Sequence, residues 1–147
     1  LTRAETGRAN RRLAVASALF GVLRATDAIP AYRLSGNSVL PGTGPLGGLW
    51  RPALEPVLNG LGELVVDLRS GAYAALAKLP HAVSVRVVTT TGAPVSHFNK
   101  AAKGRLARML GTARTEPTTV TGLLRIVRNA GIAITRTSEN TLDLTVE

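Results

Sequence analysis

Cysteine is absent from this 147-residue sequence. That excludes disulfides, Cys-ligated zinc, iron–sulfur clusters and a thiol nucleophile. Aromatic residues make up only 3 %, so a core has to rest on Leu, Val, Ile and Ala, and there is little to build a stacking platform for single-stranded nucleic acid. Acids are scarce: nine against eighteen Lys and Arg, a net charge of +9. Histidine occurs twice, as His81 and His97, too few for a His-based metal centre, and no metal site is expected. No apolar run approaches the ~20 residues of a membrane span and no signal segment opens the chain, so neither membrane nor secretion is expected. A disulfide-free chain of this size fits the cytoplasm.

Apolar residues are 45 % and charged residues 18 %, which suits a packed core within a single domain over residues 1–147. The positive excess favours polyanions: nucleic acid, or phosphorylated and carboxylated small molecules.

Thr2 and Glu5 in TRAE have the form of a capping box, predicting a helix to about Arg12. LAVASALF (13–20), closed by Gly21, is expected as a buried strand. Residues 24–48 read as a long ordered loop. LWRPALEPVLNGLG (49–62) has Leu49, Ala53, Leu54, Val57, Leu58 and Leu61 at helical spacing. ELVVDLR (63–69) reads as a buried strand, SGAYAALAKL (70–79) as a helix capped by Ser70, and AVSVRVVTT (82–90) as a strand. NKAAKGRLARML (99–110) is expected as a helix capped by Asn99, and EPTTVTGLLRIVRNAGI as a helix ended by Gly131. IAITRT and TLDLTV, split by SENT, form a C-terminal hairpin. The fold class is α/β in the mixed α+β sense, a mixed β-sheet flanked by helices.

GTGPLG (42–47) matches G-x-G-x-x-G with Asp67 downstream, but no strand precedes it and prolines flank it, so it reads as a glycine-rich turn. With no G-x-S-x-G in the chain, Asp67, His97 and Ser70 or Ser96 do not make a hydrolase signature. No cofactor motif remains. DLRSGAY (67–73) and SHFNKAAKG (96–104) share one arrangement, a strand end followed by a polar cap and a helix. Two such junctions on neighbouring strands would line one pocket with amides, Lys and Arg. Four cations and no acid fall in residues 96–108. Lys100 sits in the first turn of its helix, where the dipole repels a cation, and an anion at the exposed amides would reverse that sign. A solvated lysine would also tolerate the small cost.

LAVASALFGVLRATDAIPAYRL (13–34), LGGLWRPALEPVLNGL, LVVDLRSGAYAAL and VSHFNKAAKGRLARML, in that order, resemble the YaaA peroxide-stress family, above all its actinobacterial members. The resemblance covers nearly the whole chain. Ala25 stands where the family has proline after Arg24, and SGNSVLPG lacks its methionine–glycine pair. Family members carry a substantial portion before LTRAETGRANRR, including strands and a helix–hairpin–helix-like segment proposed to contact DNA. The resemblance therefore implies either a fragment of the YaaA-like fold, with a separate N-terminal fragment as a partner, or a divergent partial homologue.

The resemblance also implies a cytoplasmic protein of the hydrogen-peroxide response, similar to members that limit free iron and bind DNA. Carried over by position, the family's polar residues are Arg24, Asp27, Tyr32, Arg33, Arg69, Ser70, Tyr73, Ser96, His97, Lys100, Lys103 and Arg105. As a set they look like a basic cleft. Two functions follow as expectations: double-stranded DNA binding through phosphates, or an enzyme on a small anionic or nucleotide-like ligand with His97 and Lys100 as its catalytic groups. With no Cys, two His and scattered carboxylates, any effect on iron is expected to be indirect.

Overall fold

The computed structural model describes residues 1–95 and 99–146. The fold is mixed α/β and forms two compact units. Unit 1 comprises Leu1–Ala9, Glu63–Leu68 and His81–Glu147, and unit 2 comprises Asn10–Gly62 and Arg69–Pro80.

In chain order the elements are α1 (Arg3–Arg12), β1 (Ala14–Ser17), β2 (Gly21–Arg24), β3 (Val39–Leu40), β4 (Gly44–Pro45), α2 (Leu46–Asn59) and β5 (Val66–Asp67). Then follow α3 (Gly71–Ala74), β6 (Val83–Thr89), α4 (Asn99–Thr112), α5 (Val120–Asn129), β7 (Ile134–Ser138) and β8 (Thr141–Val146).

Unit 1 is a four-stranded sheet in the order β5-β6-β8-β7. β5, β6 and β8 run parallel, and β7 closes the C-terminal hairpin antiparallel to β8. Alternation along β6 sends Val83, Val85 and Val87 to one face and Ser84 and Arg86 to the other. The apolar face packs on Ala102 and Leu106 of α4, Leu123 and Val127 of α5, Ile134 of β7, and Leu142 and Leu144 of β8. On the other face Arg86 lies directly opposite Asp143 and pairs with it through two hydrogen bonds of 2.8 Å, which raises the guanidinium pKa further.

Local signals set the helix ends in this unit. The Thr2 amide donates to Glu5 Oε2 at 2.7 Å and the Glu5 amide to Thr2 Oγ1 at 3.2 Å, the reciprocal capping box expected from TRAE. Thr119 caps α5 by accepting from the Gly122 amide. α5 ends in a Schellman motif: Gly131 donates to the Arg128 carbonyl, Ile132 to the Val127 carbonyl, and Gly131 takes φ +74°, which favours glycine.

Unit 2 departs from the sequence expectations. LAVASALF is not one buried strand. β1 pairs antiparallel with β2 around a turn at 18–20, and Ala14 and Val15 are exposed. The run breaks because the Ser17 hydroxyl accepts from the Phe20 amide at 2.9 Å, and because Gly21 (φ +77°) lets the chain turn under Trp50, whose ring would meet an added Cβ at 3.0 Å. The expected loop over 24–48 contains the short β3–β4 hairpin, and α2 starts at Leu46 rather than 49. Both Pro52 and Pro56 therefore lie inside the helix.

The expected helix over 70–79 is a four-residue α3. Ser70 occupies its cap position without a side-chain cap bond. Arginines take the carbonyls that a longer helix would have used: Arg69 donates to the Tyr73 and Ala77 carbonyls and Arg51 to the Ala75 carbonyl. In unit 1, the expected strand 63–69 shrinks to Val66–Asp67, half-buried at the end of the sheet order.

Candidate functional site

α4 carries the cationic cluster. Ala102 and Leu106 bury one side of it in the unit 1 core, with Met109 and Leu110 packed against the same cluster. The i, i+4 spacing then leaves Lys100, Arg105 and Arg108 exposed, followed by Arg114 beyond the helix end. No acid occurs from Asn99 to Thr112. The far end of α4 is held by Arg8, whose Nε donates to the Thr112 carbonyl at 2.8 Å, a cation where the helix dipole favours one.

Lys103 differs from its neighbours. It is half-buried, and burial pulls its ammonium pKa below the ordinary lysine value, while the negative charge of Asp67 at the end of β5 offsets part of that effect. Unit 1 thus joins one charge from each of the two strand–helix junctions. The polar set carried over from the family includes Lys103 but not Asp67. The signal available was Asp67 itself, an acid ending an apolar strand.

Arg24, Tyr32, Arg33, Arg69, Ser70 and Tyr73 belong to unit 2. Arg24 and Asp27 form a turn: the Arg24 amide donates to Asp27 Oδ2 at 2.8 Å and the Asp27 amide to the Arg24 carbonyl at 3.1 Å. The Arg24 guanidinium reaches the Arg11 carbonyl at 3.1 Å. Tyr32 shares a 2.6 Å hydrogen bond with the Ser17 hydroxyl and meets the Phe20 ring edge-on at 5.6 Å. Tyr73 packs against the small cluster of Ala18, Leu46 and Leu76. Arg33 and Ser70 are exposed. Ser96 and His97 lie outside the described residues, as does the cap position before Asn99.

Ser17 was missed in the sequence. It is 2 % exposed and ties the hairpin turn to the loop that carries Tyr32. Its signal was a hydroxyl within an apolar run, which a buried-strand reading passes over. Among the described residues, no three His, Asp or Glu side chains are placed to hold a metal ion, and no helix is long and apolar enough to cross a membrane.

Residues 1–131 match the family described as peroxide stress protein YaaA. A UPF0246 protein of Corynebacterium efficiens is 47 % identical over 137 residues, covering 88 % of this chain and 56 % of that protein. A UPF0246 protein of Streptomyces coelicolor is 43 % identical over 142 residues, covering 91 % of this chain and 55 % of its own length. One from Corynebacterium glutamicum is 43 % identical over 135 residues, covering 86 % and 55 %. The chain spans about half the length of the curated relatives it matches.

Proposed function

The chain belongs to the peroxide stress protein YaaA family, and from that premise we propose that it acts in the cytoplasm during the response to hydrogen peroxide by binding double-stranded DNA through phosphate contacts. The observation that carries this reading is the outer side of α4, where Lys100, Arg105 and Arg108 are exposed and no acid intervenes. Cations held on a rigid helix replace the counterions condensed on a duplex, and that release drives binding without reading sequence. The effect on iron is indirect: a protein lying along the phosphates displaces the cations, iron among them, that would otherwise collect there and react with peroxide.

The test is affinity for random-sequence duplex as a function of salt, read by fluorescence anisotropy. Three phosphate contacts give a slope of log K against log salt near −3, at about −0.9 per contact. Arg105→Ala with Arg108→Ala is expected to weaken binding evenly across sequences and to flatten the slope by roughly 2. A response that stays flat between low and moderate salt sinks the proposal.

One observation favours a second reading, an enzyme acting on a small anionic ligand. A lysine whose ammonium is destabilised by burial, beside a carboxylate, has the character of a general base or an anion clamp. In that reading Lys103 joins His97 and Lys100 as a catalytic candidate. Lys103→Met would then abolish ligand binding or turnover while leaving the salt slope on DNA unchanged, and the opposite pattern would discard the enzyme.

A further inference from the structure

Helix α2 has a polar stripe, Arg51, Glu55 and Asn59 at successive i+4 positions, whose side chains all bond within unit 2, Arg51 and Asn59 while still exposed. Arg51 Nε donates to the Ala75 carbonyl at 3.0 Å, Glu55 Oε1 accepts from the Lys78 amide at 2.8 Å, and Asn59 Nδ2 donates to the Lys78 carbonyl at 3.1 Å. Beside that stripe, Leu46 is buried, and Trp50 packs against the cluster around it while donating to the Ala18 carbonyl at 2.9 Å.

The remaining side of α2 is apolar and faces outward. Leu49, Pro52, Ala53, Pro56 and Val57 follow i, i+3, i+4, i+7, i+8 spacing, and all five are exposed, Leu49 to 51 % and Val57 to 64 %. A surface helix normally has a single apolar stripe that faces its core, and a helix that is apolar on more than one side is usually a buried one. Two prolines on the outer stripe remove backbone donors there without disturbing the polar contacts.

We propose that the outward stripe of α2 is the docking surface for the part of the family fold that this chain does not match. The relatives are nearly twice as long as the matched segment, since that segment covers only 55–56 % of their length. The other half of the fold is thus a polypeptide of the size needed to cover the helix. Unit 2 carries seven Lys and Arg against two Asp and Glu, so the covering segment presents an apolar face rimmed by acids. This proposal stands apart from the DNA-binding reading and survives its failure.

The test co-produces the 147-residue chain with the unmatched part of the Corynebacterium efficiens relative and follows co-purification and hydrogen exchange of the α2 amides. The expected result is a one-to-one complex in which exchange across residues 49–59 slows. Leu49→Glu with Val57→Glu is expected to weaken it about 100-fold or more, as for paired central anchors. Circular dichroism of the chain alone should stay unchanged, because both positions are exposed. Val39→Glu, exposed to 68 % on β3 and off the stripe, is the control and is expected to leave the complex intact. The milder pair Leu49→Gln and Val57→Gln repeats the test if the glutamates perturb folding. Absence of a complex, or equal loss with Val39→Glu, overturns the proposal. So does a homodimer of the chain alone that Leu49→Glu with Val57→Glu splits, since the occupant would then be a second copy.

Discussion

In unit 1 the buried cluster draws on three strands and two helices, from Val83 to Leu144. In unit 2 the corresponding cluster is Ala18, Leu46 and Leu76, with Leu34, Leu40, Trp50 and Tyr73 packed against it. The exposed large apolar side chains divide the opposite way. Among the described residues, all of them except Leu1 belong to unit 2. Apolar area removed from water is the main source of stability, so unit 1 holds its fold by its own core. Unit 2 relies on side-chain bonds to backbone carbonyls, from Arg51, Arg69, Trp50 and Asn59. A region tied by many polar links around a small core opens locally at lower cost than one built on a large core.

The largest effect that sharpens this contrast is in the core of unit 1. Leu106→Ala is expected to cost about 2–5 kcal/mol in urea unfolding, the range for a fully enclosed leucine. Leu46→Ala, the equivalent change in unit 2, falls at or below the bottom of that range, because a small cluster beside exposed surface collapses more readily onto the gap. Equal losses at the two positions would break the comparison.

Helix caps give the next effect. Thr119 accepts the Gly122 amide at 3.1 Å, whereas Ser70 stands at its cap position without a side-chain cap bond. Thr119→Ala should cost ~1 kcal/mol and Ser70→Ala close to nothing, again by urea unfolding. A substantial loss at Ser70 would mean that its hydroxyl works elsewhere, a ligand role included.

These two units also differ in how well the sequence announced them. The capping box, the alternation of β6, the glycine that ends α5 and the terminal hairpin were legible because each is a local rule with a local cause. α2 was legible as a helix, but its spacing merged two apolar sides into one. Leu54 and Leu58 are half-buried while Leu49, Ala53 and Val57 face out, and periodicity alone cannot say which apolar stripe the protein covers. LAVASALF failed because Ser17 and Gly21 stop the strand through contacts with Phe20 and Trp50, and Trp50 is distant in sequence. The family's polar set includes Lys100 and Lys103 alike. Only the fold, which half-buries Lys103 within the field of Asp67 and leaves Lys100 exposed, separates the two lysines.

Lys103 gives a smaller, pH-dependent test within unit 1. Because burial lowers its folded-state pKa below the ordinary 10.5, the folded state is penalised while the lysine is charged in both states. That penalty is present at neutral pH and fades as pH rises from the folded-state value towards 10.5. Stability of the native protein relative to Lys103→Met should therefore climb in alkaline solution below that limit. Thermal unfolding of both proteins at a series of pH values reads the difference. A gap that stays constant with pH would mean that Lys103 is as solvated as Lys100.

The smallest effect sits at the start of α1. The Thr2 amide donates to Glu5 and is the main cause that holds the Glu5 carboxyl below its ordinary 4.5, with the Thr2 hydroxyl adding to it. A depressed carboxylate stabilises the folded state above the unfolded value and loses that contribution as pH falls through the folded one. Native protein should thus lose ground to Glu5→Gln as solution is acidified from pH 6 to below about 4, because glutamine keeps an acceptor for the Thr2 amide but does not titrate. α1 is exposed around this cap, so the loss is expected as fraying of the first turn, visible in amide exchange at Glu5 and Thr6 rather than in global unfolding. Exchange at those amides that is identical in the two proteins at every pH would mean that the capping box contributes nothing in solution. The start of the best-packed unit would then be no firmer than the polar links of unit 2.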